Sequence, residues 1–78
     1  MKPNKNRFAL CIDSAGNEAS LIPGKVYRVK PDARAAKDDL VRIVDESGED
    51  YLYHKSQFVL VTFPPSVTKK VLALEAAA

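Results

Sequence analysis

Apolar and polar positions along this chain alternate in short runs, and the interruptions between runs are rich in turn-forming residues. Phe8, Leu10 and Ile12 alternate within Arg7 to Ile12, which predicts a first strand. Ala9 and Cys11 fill the positions between them, so both faces of this strand read as covered. Asp13 to Ser20 then supplies turn chemistry, with Gly16 and Asn17 as the residues that tolerate positive φ. Pro23-Gly24 reads as a tight turn into a second strand, Lys25-Val26-Tyr27-Arg28-Val29-Lys30, which Pro31 ends because it has no N–H for the ladder. Residues 31–38 fit one short helical turn, with Asp32 placed to cap it.

The strongest pattern lies between Asp39 and Tyr53. Leu40 to Val44 and Tyr51 to Tyr53 are β-prone runs around Asp45-Glu46-Ser47-Gly48-Glu49-Asp50, which predicts a hairpin with a carboxylate-rich, solvated tip. Those carboxylates would also oppose edge-to-edge aggregation. His54 to Gln57 is a polar break before a last strand, Phe58 to Phe63, stopped by Pro64-Pro65. Ser66 can then cap a helix from Val67 to about Leu74, whose stripe of Val67, Val71 and Leu74 needs a surface to dock on. The organisation expected is all-β: a disordered segment at 1–6, a five-stranded barrel at 7–63 and a helical extension at 64–78.

Length limits the chain to one domain, since 78 residues bury only about 60% of the surface an unfolded chain of this size exposes. The balance of 46% apolar and 28% charged residues is that of a chain that folds. Cys11 is the only cysteine, so no internal disulfide can form, and a reducing, cytoplasmic location is the expectation. No run of about 18 apolar residues is present, so membrane insertion is not expected. A net charge of +2 argues for no particular partner, but its distribution is uneven. Residues 1–37 balance at +5, residues 38–50 at −5 and residues 51–78 at +2, which suggests a basic side and an acidic tip.

Five short strands around a central hairpin fit a small barrel, and particular residues carry a family resemblance. Ala9-Leu10-Cys11-Ile12-Asp13 resembles the opening motif of Src-homology-3 (SH3) domains. Pro23-Gly24-Lys25-Val26 is similar to the segment that enters their second strand, and His54-Lys55-Ser56-Gln57-Phe58 to the turn before their last. The resemblance implies an SH3-like barrel over residues 8–63. The chain also resembles a family of small bacterial proteins, which implies no function. Proline-rich peptides, the usual ligands of SH3 domains, are not expected partners. Their prolines stack on an aromatic shelf that includes a tryptophan. Here there is no tryptophan, the shelf tyrosines correspond to Cys11 and Asp13, and Phe58 alone keeps an aromatic.

Reactive chemistry is sparse. Asp45, Glu46, Glu49 and Asp50 lack the alternating ligand spacing of a calcium loop. His54 is the sole histidine and has no cysteine at zinc-ligand spacing; pairing it with Cys11 as a nucleophile leaves no third group to orient them. No cofactor, metal or catalytic residue is expected, and the chain does not read as an enzyme. Tyr27, Tyr51 and Tyr53, with Arg28, Lys30 and Arg42 on neighbouring strands, form the candidate binding surface. Such a set would bind single-stranded DNA or RNA by base stacking and phosphate pairing. Alternatively, the tyrosine rings wall the core with only their hydroxyls in water. A non-catalytic protein-interaction or accessory module is the leading expectation, with another protein as partner, and nucleic-acid binding is the alternative.

Overall fold

The structure, a computed structural model, describes residues 8–77, with side chains to residue 74. The segment 1–6 expected to be disordered, and Arg7 at the start of the first strand, lie outside the described residues. Among the described residues there are five strands: β1 (Phe8–Cys11), β2 (Val26–Lys30), β3 (Leu40–Val44), β4 (Asp50–His54) and β5 (Phe58–Val61). They form one antiparallel sheet in the order β4-β3-β2-β1-β5, so β4 and β5 are its edges. Two helices complete the fold, α1 (Ala33–Lys37) between β2 and β3 and α2 (Pro65–Ala77) after β5, and a 3₁₀ turn at Lys55–Gln57 joins β4 to β5.

Local chemistry explains the connections. Gly24 has φ of 88° and the Lys25 N–H donates to the Ile22 carbonyl, so Ile22-Pro23-Gly24-Lys25 is a tight turn with proline and glycine at its centre. Asp32 caps α1 by accepting from the Ala35 N–H at 3.0 Å. Residues 45–49 close the β3–β4 hairpin, with Gly48 at φ of 86°. The start of α2 differs from expectation. Pro65 takes its first position, where a missing N–H costs nothing, and Ser66 falls inside the first turn rather than at the cap. Its stripe is only partly covered: Val71 is half-buried, Val67 is 40% exposed and Leu74 is 72% exposed.

The register puts the core on one face. Cys11 faces Phe58, Ala9 faces Tyr27, Val29 faces Ile43 and Val41 faces Tyr53. These residues and Leu21 form a single cluster in which Ala9, Cys11 and Ile43 are fully buried. Both faces of β1 are covered, as its apolar pattern predicts: Ala9 and Cys11 join the core cluster, and on the other side Leu10 is half-buried, while Ile12, just past the strand, is exposed. Phe8 is buried on the other side, with its ring 5.2 Å from that of Phe63.

The sheet is strongly curled. Four strand spacings would separate β4 from β5 by roughly 19 Å in a flat sheet. The Tyr53 ring of β4 nevertheless lies 6.1 Å from the Phe58 ring of β5, and Tyr27 of β2 lies 6.5 Å from it. Small side chains at Ala9 and Cys11 leave room for these rings on the concave face of the central strands.

Candidate interaction surface

The six candidate residues do not share one face. Successive residues on a strand point to opposite sides. Tyr27, Tyr51 and Tyr53 stand on the concave side, in register with Ala9, Ile43 and Val41. Arg28, Lys30 and Arg42 stand on the other side, where Arg28 faces Phe8 and Val44, and Lys30 faces Arg42. Exposure divides the tyrosines further: Tyr27 and Tyr53 are buried, whereas Tyr51 is 49% exposed. The expected platform of three aromatics flanked by cations is therefore not assembled. β1 offers only alanine and cysteine to the core, so the tyrosine rings of β2 and β4 fill it.

The hydroxyls of the buried tyrosines are held by the hairpin tip. Tyr27 accepts from the Ile22 N–H at 2.9 Å and donates to Glu46, which also pairs with Lys25 at 2.6 Å. Tyr53 donates to Asp45, whose other oxygen accepts from the Ser47 N–H and hydroxyl at 2.8 and 2.6 Å. Asp45 is only 6% exposed, which corrects the picture of a wholly solvated tip. Burial, then the hydrogen bond to Glu46, pushes the Tyr27 phenol far above its ordinary value. Burial and Asp45 likewise raise Tyr53. Burial acts to raise the Asp45 carboxyl, but donation from Ser47 and Tyr53 outweighs it and holds the group below its ordinary value. Tyr51 donates to Glu49 at 2.9 Å, and that bond raises its phenol.

Arg42 and Lys30 are engaged with carboxylates of the fold. Arg42 donates through Nε to Asp32 and through a terminal nitrogen to Asp50, each at 3.0 Å, and Lys30 lies 3.6 Å from the other oxygen of Asp50. The guanidinium thereby joins the cap of α1 to the start of β4. Its donated bonds lower both carboxyls, with the α1 backbone contributing first at Asp32.

Beside this network lies a groove of about 170 Å³, lined mainly by apolar groups of Val29, Pro31, Ala36, Leu40, Val41 and Leu60. Lys30, Asp32, Arg42 and Lys55 complete its wall. Sequence reasoning missed it because Leu60 sits in a continuous apolar run and Lys55 in a polar break, so neither carries a pattern that marks a surface. A second recess, at the hairpin tip, is polar and lined by Asn17, Ser20, Asp45, Ser47, Tyr51, Leu52 and Tyr53. Among the described residues no group of three or more His, Cys, Asp or Glu is placed to hold a metal ion. No described helix is long and apolar enough to cross a membrane. Comparison of the chain with protein-family models, curated proteins and solved structures finds no match.

Proposed function

We propose that this chain is a small protein-interaction module, built as an SH3-like barrel and acting in the cytoplasm by binding rather than by catalysis. The strand order, the 3₁₀ turn before β5 and the curl that brings Tyr53 onto Phe58 support the barrel reading. The apolar exposure of the edge strands carries the functional reading: Leu52 on β4 is 43% exposed, and Val59 and Leu60 on β5 are 47% and 39% exposed. Scattered exposed apolar residues are ordinary on soluble proteins. An edge strand is different, because its free backbone groups can pair with an incoming segment. From Phe58 to Val61 that edge holds no charge and no proline.

Nucleic acid is the less supported partner, since two of the three tyrosines are buried and Lys30 and Arg42 are engaged with carboxylates. Proline-rich ligands are disfavoured by the missing tryptophan. The test is affinity capture from the source cell with the native chain and a Val59→Lys/Leu60→Lys variant shown to be folded. A protein retained stoichiometrically by the first and lost by the second supports the proposal. Identical recovery with both, or none with either, argues against it.

A further inference from the structure

The groove between α1, the end of β2, β3 and β5 constrains what could occupy it. Its volume of about 170 Å³ falls below the roughly 300–1,000 Å³ of sites that enclose whole small molecules. It is close to the ~150 Å³ of a dry cavity that accepts one benzene ring. One branched aliphatic or small aromatic side chain fits, and a cofactor does not. Val29, Val41, Leu40 and Leu60 supply the apolar contact such a side chain needs.

Charge selects the anchor's neighbours. Arg42 is satisfied by Asp32 and Asp50, and Lys30 sits against Asp50. Lys55 is exposed, and among the described residues it has no carboxylate within ion-pair distance. Among the described residues, Lys55 is thus the cation of the groove's wall that no carboxylate pairs. An apolar floor beside a free ammonium complements an apolar side chain next to a carboxylate.

We propose that this groove docks an acidic peptide segment of a partner protein, with one aliphatic side chain in the groove and an adjacent Asp or Glu meeting Lys55. This assignment rests on the interaction-module reading and names its site and ligand chemistry. Selection of displayed random peptides on the full chain, followed by titration of the best synthetic peptide into isotope-labelled protein, tests it. The expected peptides share an aliphatic residue beside an acidic one. Their amide shifts should concentrate at Val29, Ala36, Leu40, Val41, Lys55 and Leu60. Lys55→Glu should weaken binding about tenfold or more, Lys55→Arg should retain it, and added salt should weaken it.

Peptides without acidic bias, or an affinity indifferent to Lys55→Glu, overturn the proposal. Peptides that bind but shift amides elsewhere also overturn it while leaving the module reading intact. Failure to select any peptide overturns both. Should removal of residues 1–6 itself shift the groove amides and strengthen peptide binding, the groove belongs to the chain's own N-terminus and the proposal fails.

Discussion

The hydroxyl of Tyr53 donates to the carboxylate of Asp45 across the β3–β4 hairpin, and both residues are less than 10% exposed, at 8% and 6%. A charged acceptor in that setting is tolerable only while its donors stay in place. Tyr53→Phe removes one donor and leaves the ring volume unchanged. It should cost about 1–3 kcal/mol, the range for stranding a buried polar group. Urea unfolding would register this as a lower midpoint with an unchanged slope.

Acid should destabilise the fold through the same hairpin and through the cap of α1. Asp45, Glu46, Asp32 and Asp50 all have folded values below their ordinary 3.8 or 4.5. Such groups stabilise the folded state fully above the ordinary values, and that contribution is lost as pH falls through the depressed ones. Thermal midpoints should be level from neutrality to about pH 5 and then decline. Asp45→Asn should make the decline shallower.

Alkali should act on the tyrosines in the opposite direction. Tyr27 and Tyr53 are raised above 10.0, so their stabilisation is complete below that pH and declines as pH climbs toward the folded values. In a spectroscopic titration, Tyr51 should ionise before the two buried phenols, which should deprotonate together with unfolding. Ionisation of all three in one step while the fold remains intact would contradict the burial described.

Gly24→Ala isolates a backbone effect. A Cβ at this position meets nothing within 4 Å, so its cost comes from φ of 88° rather than from a clash. About 1–2 kcal/mol is expected, the penalty of the left-handed region for a residue with a Cβ. Calorimetry of the variant should show a lower midpoint without loss of the sheet.

Asp32→Ala removes the cap of α1 and one of the two carboxylates on Arg42. Amide exchange at Ala35 should accelerate first, because its N–H loses its acceptor. The loss of thermal stability should shrink in high salt, as the side chains of the Arg42 pairs are only partly buried, at 23–32% exposed.

How far these features could be read from sequence depends on their range. The hairpin, the cap at Asp32 and the Pro23-Gly24 turn are set by neighbours in the chain, and all three are present as expected. Parity along β2 already separates Tyr27 from Arg28, so the division of the candidate surface was available from alternation alone. The choice of face on β1 was not. Phe8, Leu10 and Ile12 are more apolar than Ala9 and Cys11, yet the core takes the smaller pair because rings from β2, β4 and β5 converge there. Only pairing between distant segments reveals that, as it does the groove beneath Leu60.

The burial of Cys11 in the central strand has a practical consequence. It is fully buried and is the chain's only thiol. A thiol-reactive reagent therefore has a single target, accessible only when β1 separates from β2 and β5. Under conditions where opening and reclosing outrun the reagent, its labelling rate reports the population of opened molecules. The protein thus carries an internal gauge of its own integrity, needing no introduced probe and readable by mass in a mixture.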